Sequence, residues 1–206
     1  MGQVPRPPSA ILTKNLPLMH TATKLRIKME QITKTTTLKE IIQIGKDCKK
    51  CGACCKHASG FLIGDDLKRI AKYFDMSEET AKQQFMEELD FYSKKFMKPK
   101  TMKHKSGQTG QCIFLGDKNE CKIHDVKPLQ CRIGIGCQAH GADLYSWFVL
   151  NHCVDIKNPE TLRQYAHYLR AGGKVIPGGS LRELVKDEKM LKKILGREVL
   201  TEEHLN

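Results

Sequence analysis

The sequence predicts an α+β fold with a small cysteine-rich core, and three observations support that prediction. Four cysteines fall within eight residues, in the run Cys-Lys-Lys-Cys-Gly-Ala-Cys-Cys at positions 48–55. Short apolar segments around a Gly-Asp-Lys-Asn turn predict a hairpin over residues 112–124. Segments with helical periodicity lie on both sides of these features. We expect three parts: an extended basic arm at 1–37, a cysteine-cluster core at 38–155, and a helical C-terminal extension at 156–206.

Apolar residues repeat at helical spacing in five segments, which we predict to be helices. Asp65 or Asp66 can cap the second helix, and Ser77 can cap the third. Pro159 after Asn158 is typical of a helix start. The predicted helices span residues 38–44, 66–74, 78–96, 159–171 and 181–195.

Four other segments complete the chain. Residues 60–64 predict a brief strand beside the cysteine run, and Pro128 opens a short helical turn that carries Cys131. Residues 94–105 hold six lysines and no acid, which indicates an exposed connection, with a docking patch as the alternative. Residues 142–153 form an apolar element.

Length and composition indicate a folded chain in a reducing compartment. The 206 residues are 40% hydrophobic and 28% charged, which is enough apolar sequence to bury a core. No apolar run approaches the roughly 20 residues of a transmembrane helix, and the N-terminus lacks a secretory segment. We therefore expect a cytoplasmic protein with no membrane insertion. Thiols stay reduced there, so the nine cysteines indicate metal binding before disulfides.

The N-terminal arm is strongly basic. Seven Lys or Arg residues fall in positions 1–39 against the single acid Glu30, and the whole chain carries a net charge of +12. Low hydrophobicity with one sign of charge is typical of a segment that orders only on a partner. We expect the arm to bind another protein or protein complex, with nucleic acid as the alternative. A transit peptide is the competing interpretation, but such peptides favour Arg and Ser over the Lys and Thr found here.

The run at 48–55 has the spacing of a metal-binding loop. Cys48, Cys51 and Cys54 are separated by two residues each, as in zinc ribbons and ferredoxin-type clusters. Cys55 directly follows Cys54, and neighbouring side chains usually diverge. We therefore expect one of this pair to serve a second centre or another face of a cluster.

Four further cysteines are widely spaced: Cys112, Cys121, Cys131 and Cys137. Zinc sites favour paired knuckles, and this half of the set has none. Single, well-separated thiolates suit an iron–sulfur cluster, whose corners lie several ångströms apart. The eight cysteines therefore predict one or two iron–sulfur clusters, of the [4Fe-4S] type, with zinc as the alternative. The ninth, Cys153, lies in an apolar element, where we expect a buried structural thiol.

Three histidines lie near cysteines and could each replace a thiolate: His57, His124 and His140. An imidazole ligand needs a second group that orients its ring. An isolated histidine is more often a hydrogen-bonded surface or core residue, so we assign no ligand role to these three.

Four motifs together resemble the CxxCxxCC (YkgJ-like) cysteine-cluster family. They are Cys48-x2-Cys51-Gly-x-Cys54-Cys55, Gly110-x-Cys112-x-Phe114-Leu115, Cys121-x-Ile123-His124 and Lys127-Pro128-x-x-Cys131-Arg132. His124 stands where the family usually has Tyr, and Lys127 where it usually has Arg. The family commonly has Phe-Pro before its next cysteine, whereas Gly134-Ile135-Gly136 precedes Cys137 here. The resemblance covers residues 48–137 and implies a zinc- or iron-chelating protein, in many relatives an iron–sulfur protein.

Three functions remain open at the level of sequence. The first is an iron–sulfur protein in electron transfer, or in the assembly or activation of a partner metalloenzyme. The second is a structural zinc module with a basic surface for nucleic acid or protein. The third is an enzyme, a redox catalyst or a methyltransferase, because some relatives carry this cluster in flagellin lysine N-methylases. The chain has no phosphate-cradling glycine loop and no Ser/His/Asp or paired-carboxylate set, so a stand-alone enzyme is not the expected function.

Overall fold

The computed structural model describes residues 31–45, 48, 50–102, 110–136 and 140–196, and it has the predicted α+β class. Within these residues eight α-helices accompany one antiparallel sheet of two strands. The helices are α1 (Leu38–Gly45), α2 (Asp66–Tyr73), α3 (Glu78–Phe85), α4 (Leu129–Arg132), α5 (Gly141–Phe148), α6 (Pro159–Arg170), α7 (Leu181–Leu184) and α8 (Glu188–Leu195). The strands are β1 (Met86–Phe91) and β2 (Lys94–Pro99).

Side-chain caps start α3 and α6 at Ser77 and Asn158, where the sequence predicts them, and α1 has a further cap at Thr37. Asp65, at the N-cap of α2, makes no side-chain cap hydrogen bond, so the predicted cap is wrong for Asp65. The backbone N–H of Thr37 donates to the Glu40 carboxylate at 2.8 Å, and the N–H of Thr80 donates to Ser77 Oγ at 3.1 Å. Asn158 Oδ1 accepts the N–H of Glu160 at 3.0 Å, with a proline at the first helical position. Each cap satisfies a backbone donor that the first helical turn cannot satisfy itself.

The helix predicted over residues 78–96 is wrong beyond Phe85. The chain turns instead into the β1–β2 hairpin, in which Met86 pairs with Pro99. Tyr92 and Ser93 both take positive φ angles, 51° and 53°, and form the two-residue turn between the strands. Leu89, four residues after Phe85 and therefore on the same face of the predicted helix, is 44% exposed in β1.

Aromatic packing explains why these residues form a hairpin. The Phe61 ring lies 5.2 Å from that of Phe91 and 4.9 Å from that of Phe96, centroid to centroid. A helix would carry Phe91 and Phe96 in different directions, whereas the hairpin presents both to Phe61. The exposed connection predicted at 94–105 is therefore wrong for its first half, which is strand β2.

Three smaller predictions are corrected in the same way. Residues 112–124 form no regular hairpin, only a turn closed by a single bridge between Leu115 and Cys121. Residues 60–64 form no strand, although the N–H of Leu62 donates one backbone hydrogen bond to Met97 of β2 at 2.8 Å. The predicted helix 181–195 is interrupted between α7 and α8, because Asp187 caps a new helix through Lys189 N at 2.8 Å.

Two clusters of buried side chains form the core. The larger one gathers residues from α1, α4, α5, α6, the π-helical turn Val149–Cys153 and the segments between elements. Its members include Ile41, Phe61, Leu129, Ile133, Leu144, Trp147, Phe148, Val149, Cys153, Tyr165 and Ile176. The smaller one contains Ile70, Met86, Cys112, Phe114 and Ile123. Cys153 is completely buried, as its apolar surroundings in the sequence predict.

The described end of the predicted arm, residues 31–37, lies against the larger cluster. Ile32 is only 5% exposed, and the Trp147 indole N–H donates to the backbone oxygen of Thr36 at 2.8 Å. The N–H of Lys34 donates to the backbone oxygen of Pro177 at 2.9 Å. Residues 1–30 lie outside the described residues, so the arm itself stays a prediction.

A buried carboxylate joins α2 to α4. Asp66 is 1% exposed and accepts the backbone N–H groups of Ile63 at 2.9 Å and Leu129 at 2.6 Å. Its other oxygen pairs with Arg132 at 3.1 Å and Arg69 at 3.3 Å. Asp66 therefore holds the start of α4, the helix that carries Cys131.

We expect Asp66→Ala to lower the free energy of unfolding by about 3–5 kcal/mol, because it leaves two guanidinium groups and two amides without their acceptor. Urea unfolding measures the change. Asp65→Ala, at the exposed neighbouring carboxylate, is the control and should change stability by less than about 0.5 kcal/mol. Equal losses in the two variants would contradict this role of Asp66.

Candidate metal centre

The loop at 48–55 bends because two of its residues adopt left-handed backbone conformations. Lys50 has φ 51° and Gly52 has φ 69°. A Cβ atom at Gly52 would lie 2.7 Å from the backbone oxygen of Asn119, so the loop approaches the 116–119 turn closely. The chain then enters a short 3-10 helix at Cys54–Lys56. These bends let the loop present successive thiols to one side.

The later cysteines come to this loop from three separate places. The backbone N–H of Cys112 donates to the Cys55 carbonyl at 2.8 Å. Cys121 is placed by its bridge to Leu115, and Cys131 by helix α4. Gly60 allows the last approach, because a Cβ atom there would overlap the Cys131 sulfur.

Seven of the eight predicted ligands line one cavity of about 260 Å³: Cys48, Cys51, Cys54, Cys55, Cys112, Cys121 and Cys131. The eighth, Cys137, lies outside the described residues. The structure thus brings together cysteines separated by up to 83 positions in sequence; their role as ligands stays a prediction.

Cys54 and Cys55 do not diverge as their adjacency in sequence predicts. Their sulfurs lie 3.9 Å apart. Two thiolates on one tetrahedral zinc ion are separated by about 3.8 Å, given Zn–S bonds of about 2.3 Å. The pair is therefore close enough to share one ion.

The seven thiols are spread around the cavity and do not all converge on the position of a single metal ion. Among the described residues, no three Cys, His, Asp or Glu side chains are grouped tightly enough to hold a single metal ion. Seven sulfur donors spread around one cavity fit a polynuclear centre, in which each metal takes only one or two protein ligands.

Burial and neighbouring sulfurs raise the pKa values of Cys55, Cys112 and Cys131. The pKa of Cys55 is raised by its contact with Cys54, by burial, and by the nearby Cys131 and Cys121. Burial is the main cause for Cys112 and Cys131 and raises their pKa values to about 11 and about 12. Negative charge on one thiolate opposes ionisation of the next. A bound cation reverses this, because it stabilises every thiolate around it.

Several residues that line the cavity were not assigned to the site from sequence. Gln130 accepts the N–H of Phe61 through Oε1 at 2.7 Å, and Tyr145 reaches the cavity from helix α5. Nothing in the sequence around Tyr145 indicates this position, which results from the packing of α5. Lys127 also lines the cavity, and the sequence motif Lys127-Pro128-x-x-Cys131 could have indicated it.

Of the three histidines near cysteines, only His124 lines the cavity. Its Nε2 atom lies 3.5 Å from the Lys127 ammonium, and its Nδ1 atom lies 3.6 Å from the Asp125 carboxylate. Burial and the charges of Lys127 and Lys50 lower the pKa of His124. Both ring nitrogens therefore already have neighbours, which weighs against His124 as a ligand.

Residues 47–146 match the sequence profile of a family described as "CxxCxxCC: Putative zinc- or iron-chelating domain". This part of the chain, just under half of its length, is therefore similar to the CxxCxxCC domain. The match spans all eight predicted ligands and supports metal binding by this domain. Comparisons with curated proteins and with solved structures gave no significant match.

The CxxCxxCC domain is not accompanied by a membrane span in the described part of the chain. No described helix has the length and apolar character required to cross a bilayer.

We expect Gly60→Ala to reduce metal content, because the added methyl group would displace the Cys131 sulfur from the cavity. Overpacking of this kind also costs about 1–3 kcal/mol. Elemental analysis of the purified variant measures the metal. Gly64→Ala is the control: it strains a residue with φ 56°, but its methyl group meets open space, so metal content should not change. Equal metal content in Gly60→Ala and the natural protein would contradict the close approach.

We expect the metal-free protein to lose stability as pH rises above about 9. The pKa values of Cys112 and Cys131 are raised by folding, so the folded state holds protons that the unfolded state releases first. Their contribution is complete below the ordinary thiol pKa and is lost as pH approaches 11 to 12. Denaturant unfolding with reductant and chelator, from pH 7 to pH 11, tests this; a constant free energy between pH 8 and pH 11 would contradict it.

Proposed function

We propose that the CxxCxxCC domain holds an iron–sulfur cluster in its cysteine cavity and acts in electron transfer, or in assembling or activating a partner metalloenzyme. The observation that carries this proposal is the arrangement of seven thiols around one cavity, in which no three of the described side chains are grouped on a single-ion site. Thiolates are the usual protein ligands of such clusters, which supply reversible one-electron transfer when bound. The donor set therefore fits the group.

The number of thiols also favours a cluster over one zinc ion. A structural zinc site uses four ligands, and this cavity offers seven among the described residues. Thiols beyond a first set of four allow a second centre, or a centre whose ligands exchange when it is passed to a partner.

Zinc is the second candidate, and one distance favours it. The 3.9 Å between the Cys54 and Cys55 sulfurs suits two ligands of one tetrahedral ion. In that function the domain would be a structural module, and the basic surface of the chain would carry the activity.

The partner belongs to the proposal as well. Residues 1–39 carry +6 of the net charge of +12, and most of this lies in the basic arm at 1–37, which suits an acidic surface on another protein. Delivery of electrons or of a cluster requires such a partner to receive them.

Anaerobic purification followed by an optical spectrum and by iron, zinc and sulfide analysis tests the proposed function. We expect a brown protein with iron and sulfide in equal amounts. A colourless protein that holds only zinc would overturn the iron–sulfur assignment and leave the zinc module.

Two cysteine variants test the site itself. Cys51→Ser, in the cavity, should lose most of the metal and become less stable, because metal binding contributes to folding. Cys153→Ser, at a buried thiol outside the cavity lining, is the matched control and should keep its metal. Full metal content in Cys51→Ser, or equal loss in the two variants, would contradict the assigned cavity.

A further inference from the structure

The charged side chains that line the cysteine cavity are all basic. Lys50, His124 and Lys127 contribute to its wall, and no carboxylate does so among the described residues. Lys50 is exposed, so water screens its charge. Lys127 differs, because it is only 8% exposed.

Lys127 is a buried cation without a carboxylate partner in the described part of the chain. Its one recorded side-chain contact is His124 Nε2 at 3.5 Å, and this imidazole carries no negative charge. Lys98 provides the contrast: it has the same 8% exposure, but its ammonium lies 2.5 Å from the Glu87 carboxylate. Burying an ammonium without a counter-charge costs several kcal/mol, on the order of what a buried ion pair recovers.

The backbone fixes the position of Lys127. Arg69 donates through Nη2 to the carbonyl oxygens of Val126 and Lys127, both at 2.9 Å. Pro128 follows, and Leu129 N is held by Asp66 at 2.6 Å. The backbone of Lys127 is therefore held beside the cavity, and its ammonium lies 3.5 Å from His124 Nε2, which also belongs to a cavity-lining residue.

We infer that Lys127 is the counter-ion of a negatively charged metal–thiolate centre in this cavity and that its charge sets the affinity and potential of that centre. Four thiolates carry more negative charge than a divalent ion or a [4Fe-4S] core offsets, so the loaded centre is anionic. The centre supplies the negative charge that Lys127 lacks. This inference rests on the proposed metal site, but it holds for zinc as well as for an iron–sulfur cluster.

The test compares Lys127→Met, which removes the charge and keeps the apolar stem, with Lys127→Arg, which keeps the charge. Lys98→Met is the matched control, because it removes an equally buried lysine that already has a carboxylate partner. Zinc affinity is measured on the full-length, metal-free chain by competition with a chelator. We expect Lys127→Met to weaken zinc binding at least tenfold and Lys127→Arg to stay within threefold of the natural protein.

For iron-loaded protein the readout is the midpoint potential. Removing a positive charge disfavours addition of an electron, so Lys127→Met should lower the reduction equilibrium constant about tenfold, which is about 59 mV for one electron. Lys127→Arg should restore the potential. If Lys127→Met acted only through lost packing, it would not lower the potential, and Lys127→Arg would not restore the value of the natural protein.

The stability of the metal-free protein provides an independent test. Lys127→Met should leave its stability unchanged or increased, since it removes an unpaired buried charge, whereas Lys98→Met should decrease it. If Lys127→Met lowers metal-free stability and leaves zinc affinity and potential unchanged, Lys127 is only structural and the inference is overturned. Lys127→Gln serves the same comparison if Lys127→Met does not fold.

The two proposals fail in different ways. Absence of iron and sulfide overturns the iron–sulfur function, while the zinc affinities still decide the role of Lys127. Unchanged affinity and potential in Lys127→Met overturn the role of Lys127, while the metal analysis of the natural protein stands.

Discussion

One electrostatic constraint governs this protein: seven thiols share a small cavity and cannot all ionise unless a cation lies among them. Burial and neighbouring sulfurs raise the pKa values of Cys55, Cys112 and Cys131, so these three groups stay protonated at neutral pH in the metal-free protein. The positive charge of a bound metal centre would lower the free energy cost of ionising these thiols. Because only the folded chain gathers these cysteines, the free energy of metal binding adds to the free energy of folding.

The two hydrophobic clusters hold the short cysteine-bearing segments in place around the cavity. The cysteine-bearing segments themselves contain little regular secondary structure, only a 3-10 turn, a single bridge and the four-residue helix α4. The smaller cluster contributes Cys112 directly, and the larger one anchors α4 through Leu129 and Ile133. Asp66 then ties α4 to α2, so that the position of Cys131 depends on a buried ion pair more than on local backbone structure.

Charge is arranged differently at the cavity and elsewhere in the fold. Two buried charges outside the cavity lining have partners within the chain: Lys98, which lies near enough to act on Cys112, has Glu87, and Asp66 has Arg132. At the cavity, Lys127 has no such partner among the described residues, and the missing negative charge is the one that a metal–thiolate centre would bring. A bound metal ion would let the cavity thiols ionise. The negative charge of the resulting metal–thiolate centre would then balance the positive charge of Lys127.

The sequence by itself determined the elements whose signals are local. The caps at Ser77 and Asn158 begin helices because a side chain satisfies the neighbouring backbone, and the cysteine spacing marks a metal loop by itself. The β1–β2 hairpin was decided by the tertiary structure, because Phe91 and Phe96 pack on Phe61, about 30 residues away in sequence, and the Tyr92–Ser93 turn lacks the glycine or asparagine that usually signals it. The cavity also depends on both levels. Residue type and spacing in the sequence identified its thiols, but only long-range packing brought them together around one cavity beside Lys127.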